Sequence, residues 1–174
     1  MNKYWMSGLG LMLFSGAVAA APLQVVSSFS ILGDVVKQVG GDRVAVTNLV
    51  GANQDSHAYN MTAADVKKIR AAKLVLVSGL GLEKAEMMRA VKQSKVPYAE
   101  ATAGIKALAA PEGGGHDHGH DHDHDHGEYD PHVWTDPVLM QKYASNVAVA
   151  LIKADPANKD YYLQRLQAPL RDPR

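Results

Sequence analysis

Residues 23–50 read LQVVSSFSILGDVVKQVGGDRVAVTNLV. The stretch changes period twice. LQVVSSF is short and β-rich. SILGDVVKQVGG then carries Ile31, Leu32, Val35, Val36 and Val39 at helical spacing and stops at a glycine pair. RVAVTNLV is β-branched again. A strand, a helix and a second strand within 28 residues is the unit that builds a parallel sheet, because parallel neighbours need a crossover between them.

The alternation continues downstream. TAADVKKIRAAK opens a second helix with Thr62, and Asp65 three residues on gives the pattern of a capping box. KLVLVSG is a continuous apolar run of strand length, suited to a strand buried on both faces. LEKAEMMRAVKQS predicts a third helix and VPYAEA a fourth strand. The expected fold is therefore α/β, a mostly parallel sheet flanked by helices, with right-handed crossovers. Such sheets take ligands at the carboxyl ends of their strands, so the loops after strands are the places to search.

Past residue 101 the hydrophobic period is lost. PEGGG leads into HDHGHDHDHDHG, and residues 111–127 are expected to form a long mobile loop. Order is expected to return at Asp130. Asp136 then caps a helix with Pro137 at its first position, running through VLMQKYASNVAVALIKA to the turn DPANK. A further helix starts near Asn158 and meets Pro169 and Pro173.

The first twenty residues differ from the rest. Lys3, the apolar run WMSGLGLMLFSGAVAA and a small-residue end predict a secretory signal peptide over 1–20, cleaved near Ala19 to Ala21. The run is short and glycine-containing for a membrane anchor. There is no cysteine, so an exported chain must rely on its hydrophobic core and has no thiol for lipid attachment. The periplasm is the expected compartment. The 18 basic and 18 acidic residues balance, so no net field recruits nucleic acid or an anionic membrane.

The histidines carry the chemistry. His116, His118, His120, His122, His124 and His126 alternate mostly with aspartate. Neutral imidazole binds zinc, copper and nickel well. A flexible run pays entropy to wrap an ion, so capture or buffering is favoured over a permanent structural site, and over a mere solubilising spacer. His57 lies in the loop after the second strand, and His132 sits between a proline and an apolar Val-Trp pair before a capped helix. Both loops can lie at one edge of a parallel sheet and meet around one ion. No catalytic residue is expected: HExxH, G-x-S-x-G and a cysteine nucleophile are all absent from the sequence. Glu128 or Asp130 could be imagined as a general base, yet nothing places either beside a substrate.

Two blocks resemble a known family. DSHAYNMTAADVKKIRAAKLVLVSGLGLE and DPHVWTDPVLM are similar to segments of the metal-binding solute receptors of zinc and manganese ABC importers, the cluster A-I group. The resemblance runs from about residue 23 to about 167. It departs at Ser56, where the family usually has proline, and at Asn60 and Met61, where an acidic residue and proline are common. The resemblance implies that His57 and His132 are the metal ligands of an amino-terminal lobe. It further implies zinc as transported ligand, a membrane ABC permease as partner, and a monomer with no enzymatic activity. The histidine-rich insertion is similar to that of zinc-importing members.

On this reading residues 21–157 form the first lobe, 158–174 begin the interlobe helix, and the second lobe is absent. The other readings are a histidine-rich periplasmic metal buffer or chaperone, and a truncated receptor without function.

Overall fold

The structure is a computed structural model that describes residues 21–106 and 129–168. The expected signal peptide, the histidine run and the proline-interrupted end lie outside the described residues. Nine principal elements follow one another: β1 (Leu23–Phe29), α1 (Ser30–Gly40), β2 (Val44–Val50), α2 (Ala63–Ala71), β3 (Leu74–Val77), α3 (Ala85–Ser94), β4 (Tyr98–Glu100), α4 (Pro137–Ala154) and α5 (Lys159–Leu166).

The four strands form one sheet in the order β2-β1-β3-β4. Every pairing is parallel: Val25 lies opposite Val46 and Leu74, and Leu76 opposite Ala99. The chain steps from β1 to β2 in one direction, then returns past β1 to β3 in the other. Right-handed crossovers in opposite directions put α1 on one face and α2 and α3 on the other. α4 and α5 join α1, and α2 packs beside α3.

The central strands are buried on both sides, which is why they read as unbroken apolar runs. Val25, Val26, Val75, Leu76 and Val77 lie in the core, and α1 adds Leu32, Val35, Val36 and Val39. α4 contributes Tyr143, Val147 and Leu151. The expected caps are present. Thr62 and Asp65 form a reciprocal capping box on α2, and the Asp136 carboxylate accepts from the Val138 and Leu139 N–H groups at the start of α4.

One boundary differs from the expectation. α3 begins at Ala85, whereas the sequence reads as helix from Leu82. Glu83 is engaged in the preceding loop instead: its Oε1 accepts from the Ser78 N–H at 2.6 Å and its Oε2 from the Gly79 N–H at 3.0 Å. Satisfying these two donors at the strand end holds Glu83 out of the helix.

Candidate metal centre

The connection leaving β1 runs to one side of the sheet and the connection leaving β3 runs to the other. The carboxyl ends of these adjacent strands therefore bound a crevice, the usual ligand position in open α/β sheets. Glu83 ties the two ends together. Its Oε1 also accepts from Ser28 Oγ at 2.7 Å, so one carboxylate spans β1 and β3. Behind it, Tyr143 OH donates to Ser78 Oγ at 3.2 Å, and Thr102 Oγ1 donates to the Ser78 carbonyl at 2.6 Å. These buried polar groups are partnered, so the edge is a fixed frame.

Two loops bring histidine to this frame. After β2, Asp55 Oδ1 accepts the backbone N–H of His57 at 2.8 Å. Before α4, Asp130 Oδ1 accepts the backbone N–H of His132 at 2.9 Å. The two segments share the spacing Asp-x-His and the same local turn, in which an aspartate side chain bonds the backbone two residues on. Each loop is also tied down further along. Tyr59 OH donates to Asp65 Oδ2 at 2.8 Å, which secures the His57 loop to the start of α2. Trp134 tilts against Phe29 with ring centroids 5.0 Å apart and meets the His132 ring edge-on at 5.2 Å. Phe29 is the last residue of β1, so the stack pins His132 to the sheet.

The result is a close pair. The Nε2 atoms of His57 and His132 are 3.4 Å apart. Two ligand nitrogens bound tetrahedrally to one zinc, at about 2.05 Å each, stand about 3.3 Å apart. The His132 ring nitrogen Nδ1 lies 2.6 Å from Asp130 Oδ1. With the proton on Nδ1 donated to that carboxylate, Nε2 presents its lone pair toward His57, the arrangement that orients metal-binding imidazoles generally. The backbone N–H and then the ring of His132 hold the Asp130 carboxyl below its ordinary range, against a smaller opposing effect of burial.

The structure thus brings together two of the eight histidines singled out in the sequence. His116, His118, His120, His122, His124 and His126 lie outside the described residues. Among the described residues, no group of three or more histidine, aspartate or glutamate side chains is placed to hold an ion. Sequence reasoning did not find Glu83, the orienting contact of Asp130, or the Trp134 stack. The repeated Asp-x-His spacing was a readable signal for Asp130. Glu83 ends the GLGLE block of the resemblance, but its role had no readable signal, since its partners are backbone groups and a serine 55 positions away.

Comparison with known proteins agrees with the fold. The family model described as "ZnuA: Zinc-uptake complex component A periplasmic" matches residues 25–172. The manganese-binding lipoprotein MntA of Halalkalibacterium halodurans is 31% identical over 150 residues, covering 86% of this chain and 46% of that protein. The Mn-bound periplasmic metal binding protein from Candidatus Liberibacter asiaticus superposes with a TM-score of 0.70 at 33% identity, over 83% of this chain and 50% of that one. Zn(II)-bound AdcA from Streptococcus pneumoniae gives a TM-score of 0.68 at 28% identity, over 84% of this chain and 29% of that one. The chain spans about half the length of the curated relatives it matches.

Proposed function

The chain belongs to the family of periplasmic zinc-uptake components, and we propose that its lobe captures a divalent transition-metal ion between His57 and His132 for delivery to a membrane ABC permease. The observation that carries this reading is the 3.4 Å separation of the two Nε2 atoms, which fits a shared ion. Zinc is the proposed metal, because imidazole donors suit it better than manganese, which favours oxygen ligands. The manganese-bound and zinc-bound relatives supply the alternatives for comparison. The site acts by holding and releasing its cargo. Asp130 sets the His132 tautomer, Trp134 sets its ring orientation, and the turn at Asp55 presents His57. The proposed compartment is the periplasm.

Calorimetric titration with zinc and with manganese tests this. The chain should bind zinc more tightly than manganese, and the His57→Ala/His132→Ala double variant should lose one class of zinc site while the histidine run still binds. Equal zinc binding by the chain and the double variant would refute a role for the pair. Tighter manganese than zinc binding at the pair would refute the metal assignment.

A further inference from the structure

We propose that the outer surface of α2 and α3, toward the amino edge of the sheet, binds the anionic headgroups of a phospholipid bilayer and holds the lobe on a membrane with its carboxyl edge free.

The formal charge of +0 gives no net field, yet it hides a separation of charge. Residues 66–82 and 87–99 hold four and three basic side chains and no aspartate or glutamate. α2 and α3 lie side by side on one face of the sheet, so these segments make one layer. Lys68 turns back to Asp65 at 2.9 Å. The other six, Lys67, Arg70, Lys73, Arg89, Lys92 and Lys95, are exposed, and none forms an ion pair with another of the described residues. Around the end of α1, on the other face, the charges are balanced: Lys37 pairs with Asp34 at 3.4 Å and Arg43 with Asp42 at 3.6 Å. Cations in the last turn of a helix complement its dipole, which accounts for Arg70 and Lys92. It does not account for Lys67 and Arg89 in mid-helix, for Lys73 beyond α2, or for the lack of any acid between them.

The placement of the layer favours a bilayer as its partner. Crossover helices run back against parallel strands, so α2 and α3 end at the amino edge of the sheet. Lys73 directly precedes β3, and its N–H donates to the Gln24 carbonyl at 2.9 Å, near the start of β1. The apolar run of residues 5–20 joins the lobe beside this point, since only two residues separate it from β1. Basic side chains next to a stretch that enters a bilayer are the ones placed to meet its anionic headgroups. Tyr98, 39% exposed at the first position of β4, adds an aromatic ring of the kind found at headgroup level. His57 and His132 lie at the opposite ends of the strands. A lobe held through α2 and α3 leaves that edge open to solution, beside the membrane that would carry the proposed permease.

Co-flotation with lipid vesicles tests the proposal. The exported chain is purified from the periplasmic fraction and kept in EDTA, so that no metal links the histidine run to lipid. It should float with vesicles of phosphatidylcholine and phosphatidylglycerol, and not with phosphatidylcholine alone. Binding should weaken as salt is raised. Each Lys or Arg near an anionic surface strengthens binding about fivefold, so Arg70→Gln/Lys73→Gln/Lys92→Gln/Lys95→Gln should lose roughly 100-fold or more. Lys37→Gln/Lys142→Gln/Lys153→Gln/Lys159→Gln changes the net charge equally on other surfaces and should lose less than about tenfold. All eight side chains are exposed, and circular dichroism checks that both variants remain folded.

Equal partition onto neutral and anionic vesicles, or none onto either, would overturn the proposal. An equal loss in the two quadruple variants would also overturn it, because net charge and not this layer would then be the cause. Binding to polyglutamate without binding to anionic vesicles would overturn it in favour of an acidic protein partner. The metal-capturing reading stands or falls separately, by zinc titration without vesicles.

Discussion

Replacing Asp65 with asparagine should destabilise the lobe in a way that depends on pH. Asp65 is 1% exposed, yet its carboxylate collects four donors: Tyr59 OH at 2.8 Å, the Thr62 N–H at 2.9 Å, Thr62 Oγ1 at 2.7 Å and Lys68 Nζ at 2.9 Å. Burial alone pushes the carboxyl up. The hydrogen bonds from Thr62, Lys68 and Tyr59 together outweigh it and bring the pKa down from 3.8 to about 2. At about 1.4 kcal/mol per pH unit that fall corresponds to about 2.5 kcal/mol, and discounting the half-exposed Lys68 leaves about 2 kcal/mol. A depressed acid contributes its stability in full above its unfolded value and loses it as pH falls through the folded value. Asp65→Asn should therefore cost about 2 kcal/mol at pH 7. The gap to the parent should shrink between about pH 4 and pH 2 and close below that. Urea unfolding of parent and variant, followed by circular dichroism at several pH values, measures the gap. Other carboxylates titrate alike in both chains and cancel in the difference. A gap that stays constant from neutral pH to about pH 2 would show that shape, not charge, is what Asp65 supplies.

Asp130→Ala should weaken zinc binding at the His57/His132 pair by roughly 10- to 100-fold, the usual cost of removing the group that orients a ligand imidazole. The urea midpoint should move little, because the Asp130 side chain is about half-exposed; competition with a chelator and a parallel unfolding curve check both halves. Gly79→Ala should cost more than Gly104→Ala, as read from unfolding curves. Both glycines have positive φ, +92 and +69, but an added Cβ at Gly79 meets Thr102 Oγ1 at 2.5 Å, whereas at Gly104 it meets nothing within 4 Å. The conformational cost alone is about 1–2 kcal/mol, and the excess at Gly79 measures the collision.

The sheet was legible because its strands and helices differ in period. LVLV over β3 and the spacing of Leu32, Val35, Val36 and Val39 on α1 could each be read in only one way once the neighbouring segments were placed. Local chemistry was equally plain where donor and acceptor lie within three residues, as at Thr62–Asp65 and Asp136–Leu139. The misplaced start of α3 shows the limit. Glu83 has good helix propensity, and only the approach of Ser28 and the β3 end makes a loop position better for it. The histidine pair lies between these cases. The loop positions of His57 and His132 could be read from the strand and helix that follow or precede them. Their 3.4 Å approach could not, because it depends on strand order.

That dependence explains why so much of the lobe's polar bonding is spent at one edge. Imidazoles on free loops would lose entropy on meeting an ion, and each ordered residue costs about 1–2 kcal/mol. Here the ordering occurs on folding. Glu83 locks β1 to β3, Asp65 locks Tyr59 two residues from His57, and Phe29 holds the Trp134 against which His132 rests. Each restraint joins a histidine loop, or the floor beneath it, to a different core element. Loosening any one should change the spacing of the pair without touching either ring. A two-imidazole centre depends on such spacing more than a four-ligand one does, because two donors cannot compensate for each other's displacement. On the proposed reading, the frame and not the donor count would make this edge of the sheet a place for an ion.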